Sequence, residues 1–135
     1  MNDVSGRRRL PAKRVVLLLL LVAGAAWGQT SGSLYPDHVV FLGPGIIETV
    51  GTETAADAAR RAGRPDAPMV VVPGAGVLLH STATSSARAL ARCLADVACR
   101  LASDDPVNPL SPADEAQLLN WDAEKYRQSL DQRAP

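Results

Sequence analysis

The fold of this chain is decided by residues 69–80, whose sequence is MVVVPGAGVLLH. The first four residues are all apolar, which indicates a strand covered on both faces. A proline and two glycines then turn the chain, and residues 77–80 form a second apolar strand. The pattern predicts a β-hairpin with a four-residue loop. A Gly-x-Gly after a strand also occurs in phosphate-binding loops, but the dinucleotide motif needs a third glycine and an immediate helix, which are missing here.

Two amphipathic helices follow the hairpin. The first begins within the polar residues 81–86 and extends to about Ala102, with apolar residues at three- and four-residue steps. The second begins at Ser111, a capping serine that is followed by a proline and, three residues on, by Asp114. The second helix carries an apolar stripe of Ala116, Leu119, Ala123, Tyr126 and Leu130. Trp121 and Tyr126 either anchor this helix on the domain or belong to an exposed, partner-binding helix.

The segment before the hairpin predicts two further strands and a short helix. Residues 39–42 form an apolar strand closed by Gly-Pro-Gly, and residues 46–47 are a second short strand. Thr54 and Asp57 predict the capped start of a helix that ends at Gly63. The expected fold is therefore α/β, a small three-layer-type unit with short strands, a strand-turn-strand hairpin and two amphipathic helices.

The first 28 residues have the order of a secretory signal peptide. Residues 1–14 carry five basic side chains and one acidic side chain, and residues 15–23 read VVLLLLLVA. This apolar run is shorter than the roughly 20 residues needed to span a bilayer. Small residues favour cleavage after Gly28. The alternatives are a short buried segment and translated sequence unrelated to the rest. Residues 29–34 form a polar linker, and residues 35–135 form the module.

Composition excludes several classes of protein. Fourteen basic and 14 acidic residues give zero net charge, which argues against a general nucleic-acid binder. Two cysteines and two histidines exclude a disulfide-rich scaffold, a four-cysteine zinc module and a three-histidine metal site. Cys93 and Cys99 lie on one predicted helix, about 9 Å apart along its axis and on different faces, which disfavours an internal disulfide. Two free thiols suit a reducing compartment and weigh against export.

Single residues give no catalytic arrangement. The spacing of serine, histidine and aspartate selects no triad. His80 ends an apolar strand and is interpreted as structural, and His38 lies in a predicted turn with local hydrogen bonds. Arg60, Arg61 and Arg64 lie near a helix C-terminus, where cations are favoured, and an anion site is the less favoured interpretation. The sequence therefore identifies no catalytic, cofactor-binding or metal-binding residue.

Three separated stretches resemble one known family. They are YPDHVVFLG at residues 35–43, VVVPGAGVLLH at 70–80 with the amphipathic helix after it, and NWDAEKYRQ at 120–128. In this order they are similar to the C-terminal part of class II aldolase/adducin-type proteins, over about residues 34–131. The family acts on sugar phosphates by metal-dependent aldol cleavage or related epimerase chemistry. Three histidines hold a divalent metal, usually zinc, which polarises the substrate carbonyl.

The resemblance implies a chain without that metal centre. The family's His-x-His pair is absent, and its Asn-His-Gly unit in the hairpin is replaced by residues 74–76, Gly-Ala-Gly. The implied function is a non-catalytic C-terminal module of an aldolase-like protein, with no cofactor of its own. Its implied partner is the missing catalytic half or a second copy, and its location is cytoplasmic. The alternatives are an exported α/β protein that binds a ligand or partner, and a stand-alone enzyme. Neither a nucleic-acid partner nor a stable membrane span is expected.

Overall fold

The computed structural model describes residues 32–102 and 104–133, so the expectations for residues 1–28 lie outside the described residues. The described part has five helices and one two-stranded antiparallel sheet, which confirms the predicted mixed α/β class. In chain order the elements are α1 (Pro36–Leu42), α2 (Ala55–Arg61), β1 (Met69–Val72), β2 (Gly76–Leu79), α3 (Ser85–Ala98), α4 (Pro112–Asn120) and α5 (Asp122–Arg133).

The predicted hairpin is present, with a tighter turn. Met69 lies opposite Leu79 and Val72 lies opposite Gly76, so the loop has three residues instead of four. Gly76 already belongs to β2, because its φ of +132° lets the chain turn and pair at the same residue. The strand expected at residues 46–47 is reduced to one parallel bridge between Glu48 and Val71.

Helices cover the hairpin on two sides, as the apolar strands predict. Alternate side chains of a strand point to opposite faces. Val70 packs with Ala58 and Ala59 of α2 on one face, while Val71 and Leu79 pack on the other face. The core cluster on that second face includes the α3 residues Ala87, Ala91, Leu94, Ala95 and Ala98. The hairpin thus lies between α2 and α3, in a small three-layer arrangement.

Two helix starts follow the predicted capping boxes. The Thr54 and Asp57 pair begins α2, and the Ser111 and Asp114 pair begins α4, with each serine or threonine side chain accepting from the third helical N–H. Helix α3 is capped by Thr84 and ends at Ala98, four residues earlier than predicted. Cys93 on α3 and Cys99 at its C-cap are both free and exposed.

The prediction of a strand at residues 39–42 is wrong. These residues belong to α1, which begins with Pro36 at its first turn and carries Asp37 beside its positive N-terminal end. A short apolar run does not separate a strand from a buried helix by periodicity. Gly43 ends the helix at a φ of +84°. This helix contacts α3, α4 and α5, and therefore connects the hairpin layers to the C-terminal helices.

The prediction of a single C-terminal helix is also wrong. Trp121 adopts an extended conformation with a ψ of 130°, which separates α4 from α5. The apolar stripe from Ala116 to Leu130 is therefore not one continuous helical face. Within the described residues, no helix combines the length and the apolar character required to cross a bilayer.

Candidate functional site

The hairpin turn carries no metal ligand. Pro73, Gly74 and Ala75 are exposed, and the Ala75 N–H donates to the Val72 carbonyl at 2.9 Å. The methyl group of Ala75 offers no lone pair to a cation. Across residues 32–102 and 104–133, no group of three His, Cys, Asp or Glu side chains is placed to hold a metal. The zinc implied by the resemblance therefore does not fit the described residues, and no step through it is derived for this chain.

His80 borders an open cleft of about 270 Å³ between α1, the loop after β2 and α5. Its Nδ1 lies 2.7 Å from the Thr82 hydroxyl and accepts from the Thr82 N–H at 3.3 Å. On the far side, the Thr84 hydroxyl donates to Asp131 at 2.5 Å and accepts from the Ala87 N–H, so it both caps α3 and attaches α5. These polar groups bind one another and hold the chain in place, which agrees with a structural role for His80.

The predicted arginine cluster is divided among separate structural contacts. Arg60 pairs with Asp57 of its own helix, and Arg61 pairs with Glu53 at 2.7 Å. Arg64 turns inward and donates to the carbonyls of residues 42 and 44. No common anion site results from these three side chains, in agreement with the interpretation as helix-end electrostatics.

A buried polar cluster, which the sequence did not reveal, lies between α1 and α4. Its centre is the carboxylate of Glu115, whose Oε1 accepts the N–H groups of Ser33 and Gly45 at 2.9 Å each. The Ser33 hydroxyl also accepts from Gly45, at 3.0 Å. His38 and Ser33 are fully buried, and Arg64, in the loop after α2, borders the same region by donating to the Leu42 carbonyl. The cluster joins segments that are 70 to 82 residues apart in the chain.

Burial sets the charge states in this cluster. Burial alone would raise the pKa of Glu115, but hydrogen bonds from Ser33 and Gly45 outweigh it and hold that pKa below its ordinary value. For His38, burial lowers the pKa below its ordinary value, against the raising influence of the Gly45 backbone and the Glu115 carboxylate. Burial also lowers the pKa of Arg64, and Glu115 partly offsets this. Near neutral pH the cluster therefore holds an ionised Glu115 and an uncharged His38.

Serine, histidine and glutamate are the residue types of a hydrolytic triad, but this arrangement does not perform that chemistry. The Nδ1 of His38 accepts from the Leu34 N–H at 3.4 Å, and the Ser33 hydroxyl is engaged with Gly45. A nucleophile must hydrogen-bond to its base and reach the substrate. Ser33 and His38 have no solvent exposure. The cluster therefore has a structural role, because its hydrogen bonds hold the loop at residues 43–45 in place.

The stability of the protein is expected to fall as the pH is lowered from 7 to 5. The unfolded chain binds a proton on His38 near pH 6.5, whereas the folded chain binds it only at a lower pH. Stability from this depressed pKa is present above 6.5 and is lost as the pH falls towards the folded pKa, with a slope of at most about 1.4 kcal/mol per pH unit. Urea unfolding at several pH values measures the slope. His38→Gln should flatten the slope, and an equal slope in wild type and His38→Gln would contradict the assignment.

Helix α5 and Trp121, which directly precedes it, present apolar side chains to solvent. Trp121 is 52% exposed, Tyr126 is 63% exposed and Leu130 is 47% exposed. The interpretation of Trp121 and Tyr126 as anchors is therefore wrong. Polar contacts attach α5 instead: Gln128 donates to the Val40 carbonyl at 2.8 Å, and Arg127 pairs with Asp37 at 2.9 Å. The alternative of an exposed, partner-binding helix agrees with this exposure.

Comparisons of the chain with known protein families, with curated proteins and with solved structures find no match.

Proposed function

We propose that this chain is a non-catalytic module, related to the C-terminal part of a class II aldolase, that works bound to a partner chain carrying the metal-binding histidines. The observation that supports it is the incomplete sheet. Val71 directs its N–H and C=O to residues 47–49: it donates to Ile47 at 2.8 Å and accepts from Thr49 at 3.0 Å. In an antiparallel ladder, a residue whose N–H and C=O point away from the neighbouring strand faces a residue whose N–H and C=O also point away. That residue is Val77.

Along the outer edge of β2, backbone groups have no partner within the residues that the structure describes. By the alternation of the ladder, Val77 and Leu79 both direct their N–H and C=O away from β1, and no residue among those the structure describes pairs with them. Both residues are almost completely buried within the chain, so a partner strand reaches this edge only when the part of the chain that covers it moves aside. Buried backbone donors and acceptors are nearly always paired in native proteins. An added strand from a second chain would supply the missing pairs.

The partner's chemistry follows from what the chain lacks. The turn at Ala75 contributes no ligand, so every metal ligand of the complete enzyme would come from the partner. The module would contribute the hairpin, the α3 layer and the rigid loop held by Glu115. These elements would fix the position of the partner's added strand, and through it the position of the partner's site. The chain alone is therefore expected to show no aldol cleavage.

A complementation experiment tests this proposal. The full chain is mixed with a class II sugar-phosphate aldolase that has been truncated directly after its Asn-His-Gly hairpin, so that the partner keeps all three metal-binding histidines. We expect a one-to-one complex, metal-dependent cleavage only in the mixture, and slower amide hydrogen exchange at Val77 and Leu79. Val77→Pro removes an outward N–H without removing a β1–β2 bond and should weaken the complex. Val77→Ala keeps the N–H and serves as the control. Unchanged exchange at both amides with excess partner would refute the proposal.

The exposed apolar surface of α5 favours a second candidate, a free-standing α/β protein that binds a partner. If its leader is removed on export, the mature chain begins at Gln29. N-terminal sequencing of the protein recovered from the producing cells and their medium tests this candidate. Cytoplasmic protein that retains Met1 or Asn2 would exclude it.

A further inference from the structure

In helix α5, polar side chains face the rest of the protein and apolar side chains face solvent, which is the reverse of the usual arrangement. The groups that attach it to the rest of the protein are polar: Gln128 binds a carbonyl of α1, Asp131 binds Thr84, and Arg127 pairs with Asp37. Surface helices of globular proteins ordinarily direct their apolar side inward. Here none of the α5 residues is buried, although the helix carries a tyrosine and a leucine. The apolar side is therefore available for a different contact.

The opposite side of α5 forms a continuous exposed stripe. At 100° per residue, five exposed positions fall within an arc of about 100° that faces away from Gln128 and Asp131. We call these positions the α5 stripe: Asp122, Ala123, Tyr126, Leu130 and Arg133. The stripe has an acidic residue at its start, apolar residues in its middle and a basic residue at its end.

We propose that two copies of this chain associate through their α5 stripes, with the two helices antiparallel. The order of the stripe is self-complementary about a two-fold axis midway between Tyr126 and Leu130. With a rise of 1.5 Å per residue, these two residues lie about 3 Å on either side of that midpoint. Asp122 lies about 9 Å before the midpoint and Arg133 about 7.5 Å after it. In the antiparallel pair, Tyr126 therefore meets Leu130 of the second copy.

The charges at the two ends of the α5 stripe favour a second copy of this chain as the molecule that binds there. The same symmetry brings Asp122 beside Arg133 of the second copy, and it repeats this pair at the other end. A parallel pair would instead place like charges together. The Asp122 side chain is fully exposed and can therefore reach a neighbouring molecule. On its own helix, it lies 3.6 Å from Lys125.

The dimer is expected to be weak. Two 12-residue helices cannot cover the roughly 800 Å² per partner that is usual for a stable complex. We therefore expect a dissociation constant on the order of 0.1 mM, which makes association visible only in concentrated solution. The proposal is independent of the proposed aldolase-like function, because the α5 stripe does not include the β2 edge at Val77 and Leu79.

Sedimentation of the full chain, between about 10 µM and 1 mM, tests the proposal. We expect a monomer at the low end and a dimer at the high end. Leu130→Asp places a carboxylate in the apolar centre and should leave a monomer throughout. The control is Gln132→Asp, which adds the same charge to an exposed position of α5 outside the stripe and should leave association unchanged.

Charge reversal tests the antiparallel orientation. Asp122→Arg and Arg133→Asp should each weaken the dimer by about threefold or more, since each removes two ion pairs from a symmetric dimer. The double variant should restore it, because the pairs re-form with reversed sign. Circular dichroism checks that each variant is folded. A monomer at every concentration, a dimer that tolerates Leu130→Asp, or a double variant as weak as the single ones would overturn the proposal.

Discussion

Replacing Glu115 with alanine is expected to lower the free energy of unfolding by about 3 kcal/mol, since the substitution leaves the buried Ser33 N–H without an acceptor and the Gly45 N–H with the Ser33 hydroxyl alone. Those groups belong to Ser33 and Gly45, which lie in two different segments. An unsatisfied buried donor costs about 1 to 3 kcal/mol, and bonds to a charged acceptor are stronger than neutral ones. Small domains have about 5 to 15 kcal/mol in total, so the variant would retain only a small margin.

Urea unfolding at pH 7, followed by circular dichroism, measures this effect. Glu115→Gln keeps one acceptor oxygen and should lose clearly less stability than the alanine variant. The matched control is Glu53→Ala, which removes a partly exposed glutamate that pairs with Arg61 and accepts from the Val50 N–H, and which should have a smaller effect. If Glu115→Ala unfolds within about 1 kcal/mol of the wild type, the Glu115 carboxylate is not the acceptor that holds these segments.

Local signals in the sequence account for the parts of the fold that were predicted correctly. The hairpin at residues 69–80 depends on an apolar run, a turn and a second apolar run, all within 12 residues. The capping boxes at Thr54 and Ser111 depend on residues only three positions apart. In each case, the interacting groups are neighbours in the chain, so pattern and propensity are sufficient.

The predictions that failed depend on packing. Residues 39–42 have the composition of a strand, but Pro36 and Asp37 begin a helix before them, and α3, α4 and α5 pack against that helix. The regular spacing from Ala116 to Leu130 predicted one helix, because the pattern does not show that Trp121 is extended. Short apolar runs and heptad-like spacing are each compatible with more than one backbone.

The buried cluster could not be found from the sequence. Glu115 follows directly after a capping box, where an acidic residue is already explained by the helix dipole. Its contacts with Ser33 and Gly45 span 82 and 70 residues, and no local pattern encodes them. His38 belongs to α1 and not to the predicted turn, because Pro36 and Asp37 begin a helix there, whereas its hydrogen bond with the Leu34 N–H is local, as predicted. The resemblance to class II aldolases concerns residues along the chain, and it did not indicate how these groups meet.

Gly43→Ala is expected to cost about 3 kcal/mol, because two independent penalties meet at this position. The residue has a φ of +84° and a ψ of 169°, a conformation that essentially only glycine adopts. An added Cβ would also collide with the guanidinium of Arg64. That guanidinium donates to the carbonyls of Leu42 and Pro44, on either side of the glycine, so it cannot move away without losing both bonds.

A second glycine separates the two penalties. Gly51 has a φ of +58° and open space around its Cβ position, so Gly51→Ala should cost only about 1 kcal/mol, from backbone strain alone. When Arg64 is replaced with alanine as well, Gly43→Ala should lower the free energy of unfolding by less, because the new Cβ no longer collides with the guanidinium. Unfolding free energies of the two single variants and the double variant give this coupling directly. If the penalties at Gly43 are the same with and without Arg64, strain alone is responsible, and the arginine does not lock the loop at residues 43–45.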